Sequence, residues 1–254
     1  MDENSTRPVD RGRPDISIVI PVYNEDQTIE AVLRVILAVP FGGYRQEVVI
    51  VDDGSSDKTA EVLERFHNTQ NLRILRRKVN RGKGSAVRDG IAVATGRAII
   101  IQDADLEYDP SQIPMLAKPI LEGEAKVVYG SRFRGVIRNM SPVRRFANWF
   151  LTSYINLLFG ASITDACTCY KTLDSEVIQS FDLKSDGFEV CHEITAQVLR
   201  RGLAIKELPI SYSARSADQG VKSSWRDLVK QIGYILRFRF CQFNSADKPK
   251  SVGA

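Results

Sequence analysis

Asp103 and Asp105, separated only by Ala104, are the pair in this chain best suited to chemistry. Two carboxylates this close repel unless a cation or another positive group lies between them. Hard oxygen donors suit Mg2+ or Mn2+, which keep positions open for the oxygens of a phosphorylated ligand. Glu107, two residues on, could add a third ligand. The plain alternative is a charged turn that opens a helix at Asp109-Pro110. The apolar residues ahead of the pair, Ala98–Ile101, favour the metal reading, because they place it at the end of a strand.

Other residues could serve a nucleotide. Asp52 and Asp53 precede Gly54, where the chain must turn, and a carboxylate there can accept from a base N–H or a ribose hydroxyl. The alternative is an Asx-turn and helix cap. Arg81-Gly82-Lys83-Gly84-Ser85 leads into a helix, and glycines at a helix start let a backbone approach an anion. The spacing is not that of a Walker loop, and no Gly-x-Gly-x-x-Gly follows the first strand, which disfavours a dinucleotide-binding enzyme. Arg132, Arg134, Arg138, Arg144 and Arg145 form a cationic run whose guanidinium forks match phosphate, or else a solvated basic loop. His67 and His192 are the chain's two histidines, so a histidine-based triad is poorly supported.

The elements that must hold these residues alternate. Ile16–Val22, Glu47–Val51, Leu72–Leu75, Ala98–Gln102 and Lys126–Tyr129 read as strands. Asp26–Ala38, Asp57–Phe66, Lys83–Ala94 and Ser111–Leu121 read as the helices between them, with Ser55, Ser56 and Asp57 as candidate caps for the second. This order predicts an α/β fold with a mostly parallel central sheet and helices on both faces. Ligands of such sheets gather beyond the carboxyl ends of the strands. Tyr23-Asn24-Glu25, Asp52-Asp53-Gly54-Ser55, Asp103-Ala104-Asp105 and Gly130-Ser131-Arg132 all fall at such ends, which points to a crevice rather than to unrelated turns.

A length of 254 residues, 43% of them hydrophobic and 26% charged, suits one large domain rather than two. Residues 1–14 and 244–254 read as flexible tails around a catalytic domain at 15–221 and an amphipathic helix at 222–243. The net charge of +4 is small, but basic residues cluster at Arg132–Arg145 and Lys222–Arg239. With no nucleic-acid motif, an anionic lipid or a phosphorylated ligand is the expected partner. Cys167 and Cys169 form a lone Cys-x-Cys, a poor zinc signal, and with no signal peptide read they, Cys191 and Cys241 are expected as reduced thiols in a cytoplasmic setting. Phe146–Thr164 holds nineteen residues without a charge, but Asn148, Thr152 and Asn156 recur on one stripe. That pattern suits a helix on a membrane surface, or one buried in the protein, better than a spanning one. The final helix, Lys222–Phe240, places Trp225, Leu228, Val229, Ile232, Ile235 and Leu236 on one stripe. It ends in Arg237-Phe238-Arg239-Phe240, which suits a lipid surface.

In order along the chain come Pro21-Val22-Tyr23-Asn24-Glu25, Val51-Asp52-Asp53-Gly54-Ser55-Ser56-Asp57, Gly82-Lys83-Gly84, Gln102-Asp103-Ala104-Asp105, Gly130-Ser131-Arg132 and the Asp165 segment. Together, over about Asp15 to Arg226, they resemble family 2 glycosyltransferases of the GT-A fold, most of all dolichyl-phosphate mannose synthases and related polyprenyl-phosphate sugar synthases. The resemblance implies inverting transfer of a hexose, of mannose or glucose type, from a nucleoside diphosphate sugar to a polyprenyl or dolichyl phosphate. GDP-mannose is favoured as donor over UDP-glucose, and a place on the cytoplasmic face of a membrane is implied. Pro21, Tyr23 and Glu25 would line the nucleotide pocket and Asp52 would read the base. Lys83 would approach the donor, and Arg215 and Lys222 would flank a loop, Ser216–Val221, that closes over it. Asp103, Asp105 and Glu107 would hold Mg2+ or Mn2+ on the diphosphate, although mannose synthases often carry Gln where Glu107 stands. Arg132, Arg144 and Arg145 would bind the acceptor phosphate. A phosphate acceptor is already ionised and needs no strong base; a sugar hydroxyl would need one, with Asp165 the candidate. Asp165–Cys169 departs from the more usual glycine-containing form, whereas Gly187-Phe188-Glu189 and Glu193 match a helix that supports the site. Two other readings fit the same residues: a transferase of this fold that extends a polysaccharide or glycan, and a catalytically silent nucleotide-sugar-binding subunit of a membrane-embedded partner.

Overall fold

Every residue of Ile16–Val22 is buried, and Ser17 is the one polar side chain among them. A strand apolar on both faces needs cover on both, which makes it central. The computed structural model describes residues 12–215 and 225–240. In it β1 (Ile16–Val22) runs between β2 (Gln46–Asp52) and β4 (Ala98–Ile101), parallel to both, with β3 (Leu72–Arg76) parallel beyond β2. With β5 (Val127–Arg138), β6 (Lys171–Asp174) and β7 (Lys206–Ser213) the sheet has seven strands in the order β3-β2-β1-β4-β6-β5-β7. β6 is antiparallel to both neighbours, and β7 is parallel to β5.

The helices of the first half follow their apolar spacing. α1 (Ile29–Ala38) buries Ile29, Val32, Leu33 and Ile36 on one face. It starts later than its periodicity predicts, because Glu25–Thr28 forms a turn in which the Thr28 and Ile29 N–H groups donate to the Glu25 carbonyl. α2 (Thr59–Glu64) is shorter than expected, and Asp57 Oδ1 caps it by accepting from Thr59 N at 2.9 Å. α3 (Lys83–Val93) and α4 (Ile113–Leu121) match their expected spans, α4 after a 3-10 turn at Pro110–Gln112.

The second half departs further. β5 does not stop at Tyr129 but continues to Arg138, because β7 pairs along it, with a register shift between Ser131 and Val136. The last of the expected strand-end groups, Gly130-Ser131-Arg132, therefore lies inside a strand. α5 (Pro142–Phe159), α6 (Ser175–Gln179), α7 (Val190–Arg200) and α8 (Trp225–Phe240) complete the described elements. A second apolar cluster of Leu151, Ile155, Ile163, Ala166 and Ile235 joins α5 to α8, with Leu228 and Ile232 packed against it. Much of the α8 stripe thus packs on its own domain.

The polar stripe of α5 faces inward. Asn156 Nδ2 donates to Ile163 O at 2.8 Å and Asn156 Oδ1 accepts from Ile163 N at 3.1 Å. Thr152 Oγ1 accepts from Ala166 N at 3.1 Å. Val143, Phe146, Trp149, Phe150 and Leu157 are left exposed. Among the described residues no helix is long and apolar enough to cross a membrane. Residues 1–11, the 216–221 loop, Lys222, Cys241 and the 244–254 tail lie outside the described residues. Arg13, in the expected tail, donates from Nη2 to Ser175 Oγ at 3.0 Å.

Candidate active site

The loops after β1 and β2 are stitched together. Asn24 N donates to Ser55 Oγ at 3.0 Å, Ser56 N donates to Asn24 Oδ1 at 2.8 Å, and Glu25 N donates to Thr59 Oγ1 at 2.9 Å. Pro21 is buried within β1, and Tyr23 stands 40% exposed at the rim. Asp52 Oδ1 accepts from Ser55 N at 3.0 Å, which closes the turn at Gly54, and Oδ2 has no hydrogen-bond partner among the described residues. Asp53 is committed to structure: it accepts from Arg77 Nη1 at 2.7 Å, Gly82 N at 2.7 Å and Arg81 N at 3.1 Å.

Asp103, Asp105 and Glu107 follow β4, and each meets a cation from elsewhere. Lys83 Nζ of α3 pairs with Asp103 Oδ1. Burial works against the Lys83 charge, but Asp103 more than offsets it and holds the ammonium well above the ordinary lysine value. Arg215 Nη2 lies 2.8 Å from Glu25 Oε2 and 3.5 Å from Asp105 Oδ2. Glu107 accepts from Tyr212 OH at 2.6 Å and from Arg215 N at 2.9 Å, and lies 3.8 Å from Arg144 Nη1. Burial, then Asp103 and Glu107, push Asp105 up to about 7, with Arg215 opposing them. Such crowded negative charge is what a divalent cation relieves, so Asp103 and Asp105 fit one. The described residues hold no complete set of three or more His, Cys, Asp or Glu ligands, so phosphate and water would have to complete the shell.

The glycines of the Arg81–Ser85 segment meet protein rather than open space. A Cβ on Gly82 would lie 2.3 Å from Asp186 O, and one on Gly84 2.2 Å from Ser185 O. Gly84 N donates to Asp186 O at 2.7 Å, so this helix start is partly capped from within the chain. Glu193, fully buried, holds the opposing segment by accepting from Lys184 N and Ser185 N, each at 2.9 Å.

Arg132 and Asp165 form a buried two-pronged pair, Nε to Oδ2 at 2.7 Å and Nη2 to Oδ1 at 2.8 Å. Arg132 N also donates to Asp165 Oδ2 at 3.1 Å. Burial alone would lower the Arg132 pKa, yet Asp165 keeps it well above the ordinary arginine value. Both expected roles, phosphate ligand and base, are thus locked together, and the Arg132 guanidinium packs 5.1 Å from the Tyr212 ring. Arg144 lies in the first turn of α5, and Arg145 beside it is exposed.

Glu207 and Tyr212, both on β7, went unread in the sequence. Glu207 accepts from Thr164 N at 2.8 Å and Asp165 N at 3.1 Å. Pro209 between them argues against a strand, and the alternation of Ile210 and Tyr212 with Ser211 and Ser213 was the fainter signal. Cys167, Cys169 and Cys191 are free thiols. Burial and then Asp165 raise Cys167 to about 12, and burial and then Asp103 raise Cys169 well above the ordinary value. His192 is buried beside Lys171, and burial, then that lysine, lowers it to about 3, so it stays neutral. A cavity of about 610 Å3 opens at the other edge of the sheet, among Arg13, Glu47, Arg73 and Thr95, away from all these residues.

A mostly parallel sheet with these carboxylates beyond the carboxyl ends of its strands, and helices around it, is the GT-A glycosyltransferase fold. Glucosyl-3-phosphoglycerate synthase from Mycobacterium tuberculosis, solved with Mn2+, uridine diphosphate and glucosyl-3-phosphoglycerate, superposes with a TM-score of 0.69 at 24% identity, over 90% of this chain and 80% of that one. Residues 17–181 match Glycosyl transferase family 2, and the chain belongs to that family. An uncharacterized protein of Methanocaldococcus jannaschii is 31% identical over 217 residues, 82% of this chain and 86% of its own length. The dolichol-phosphate mannosyltransferase of Pyrococcus furiosus is 27% identical over 227 residues, 87% of this chain and 63% of its own. The low-salt glycan biosynthesis hexosyltransferase of Haloferax volcanii is 28% identical over 233 residues, 88% of this chain but 55% of its own.

Proposed function

We propose that this chain transfers a hexose from a nucleoside diphosphate sugar to a polyprenyl phosphate, with inversion, while lying on the cytoplasmic face of a membrane. The carrying observation is the charged cluster beyond β1, β2 and β4, where Lys83 pairs with Asp103 and Arg215 joins Glu25 to Asp105, with Asp52 at the end of β2. Tyr23 and the unpartnered oxygen of Asp52 would take the nucleoside. Mg2+ or Mn2+ held by Asp103 and Asp105 would stabilise charge on the departing diphosphate. The acceptor oxygen attacks the anomeric carbon from the opposite side. A phosphate acceptor is already ionised, which accords with Asp165 being paired to Arg132 and His192 being buried. Arg144 and Arg145 would hold that phosphate while the exposed aromatic face of α5 lies among lipid headgroups. The dolichol phosphate in the name of the Pyrococcus relative supports the acceptor class.

The test is donor turnover. Radiolabelled GDP-mannose and UDP-glucose are incubated with purified protein, Mn2+ and membrane lipid extract, then partitioned between phases. Label should enter the organic phase from one donor, GDP-mannose being expected first, and stop with chelator. Label confined to a soluble acceptor would refute transfer to lipid, and no turnover of either donor would favour a silent binding subunit.

A further inference from the structure

The charges around the carboxylate loop are matched almost one to one. Asp103 holds Lys83, Glu107 lies 3.8 Å from Arg144, and Arg215 spans Glu25 at 2.8 Å and Asp105 at 3.5 Å. Among the described residues these carboxylates, four against three cations, leave the set with one net negative charge, one positive charge short of balance. Arg215 sits where strand ends converge: its own N–H donates to Glu107 Oε1 at 2.9 Å, just past β7, while its guanidinium reaches the loops after β1 and β4.

We propose that Arg215 is an internal counter-cation that stands in for the metal in the ligand-free protein, so that metal enters together with the donor diphosphate rather than ahead of it. This rests on Asp103 and Asp105 being the metal ligands. A bare divalent ion would swing the set from one net negative to one net positive charge, with a guanidinium 3.5 Å from one of its ligands. A metal ion arriving on a nucleoside diphosphate sugar brings no net charge, because the diphosphate diester carries two negative charges. The balance is then unchanged, and the phosphate oxygens offer the planar guanidinium of Arg215 a two-pronged partner in exchange for Asp105. Arg215 is in this sense a positioning residue: its charge sets the order of binding.

The experiment measures free Mn2+ by electron paramagnetic resonance at about pH 8, where all four carboxylates are counted as ionised, during titration of the full chain, alone and with UDP-glucose or GDP-mannose. Alone, the wild type should hold Mn2+ weakly, and the better-bound nucleotide sugar should strengthen it severalfold or more. Arg215→Gln should strengthen Mn2+ binding to the ligand-free protein about tenfold and weaken the nucleotide-dependent gain. Arg215→Lys, which keeps the charge, should stay near the wild type. A merely structural Arg215 would leave that coupling unmoved, so unchanged or weaker Mn2+ binding by a folded Arg215→Gln overturns the proposal. If Asp105→Asn binds Mn2+ as well as the wild type with nucleotide sugar present, the metal-ligand reading falls, and this inference with it.

Discussion

Arg132→Met puts the buried ion pair under direct test. Arg132 is 4% exposed and Asp165 0%, and the guanidinium gives the carboxylate two hydrogen bonds, at 2.7 and 2.8 Å. Without it Asp165, still in the interior, keeps only the Arg132 backbone N–H as a partner among the described residues. Breaking one side of such a pair costs about 3–5 kcal/mol, against a net stability on the order of 5–15 kcal/mol for a domain. The double variant Arg132→Met with Asp165→Leu leaves no stranded charge and should return to within about 1 kcal/mol of the wild type. Arg132→Lys, which keeps the charge but not the fork, should fall between. Urea unfolding of the ligand-free protein, followed by circular dichroism at pH 7.5, closes the cycle. If Arg132→Met loses less than about 1 kcal/mol, or the double variant loses the sum of the singles, the pair is not coupled as the geometry requires.

Three further outcomes are expected. Asp105 titrates near 7 instead of 3.8, so the metal-free folded protein holds a proton that the unfolded chain has released, and its stability should fall from about pH 4 to about pH 7 and then level off. Thermal melts in chelator at pH 5.5 and 8 should show that fall, Asp105→Asn should lose most of it, and an equal fall in both counts against the assignment. Gly84→Ala, whose Cβ would lie 2.2 Å from Ser185 O, should lower the stability read from urea unfolding by about 1–3 kcal/mol or more, whereas Gly233→Ala in α8, with open space around it, should raise it by up to about 1 kcal/mol. The wild type should sediment with anionic liposomes and partly release in high salt; Phe146→Ser with Trp149→Ser should weaken this while leaving stability within about 0.5 kcal/mol, and no binding by the wild type would point to a membrane-embedded partner.

The parallel half of the sheet was legible because its strands are buried on both faces and its helices keep helical spacing, so periodicity and burial agree for Ile16–Val22 and for Ile29, Val32, Leu33 and Ile36. β6 and β7 were not, since one is four residues bounded by Lys171 and Asp174 and the other contains Pro209. That Glu25, Asp52 and Asp103–Asp105 lie beyond the ends of β1, β2 and β4 followed from where strands end. The partnerships around them did not, because they join residues far apart in the chain: Arg132 with Asp165, Lys83 with Asp103, Arg215 with Glu25. The Asn148, Thr152 and Asn156 stripe was seen, but its direction depends on the unmet backbone groups at Ile163 and Ala166 that it satisfies. The glycines at 82 and 84 look the same in sequence whether a ligand or another stretch of backbone comes close.

β6 occupies the slot between β4 and β5, yet it is made after both. Ala98 pairs with Asp174 and Val127 with Leu173. A ribosome that has delivered the chain only as far as α5 has produced a parallel half-sheet whose β4 edge is apolar and unpaired. Such an edge templates wrong pairings, and strand pairing across long sequence separations is slow. Tyr170, whose hydroxyl donates to Gln102 Oε1 at 2.6 Å beside Asp103, arrives just ahead of β6. The carboxylate loop, held until then by Lys83 and Thr28, therefore gains the rest of its bracing only once the last third of the polypeptide has begun to emerge, and a chain truncated before it would leave a half-sheet prone to aggregation rather than a weakened enzyme.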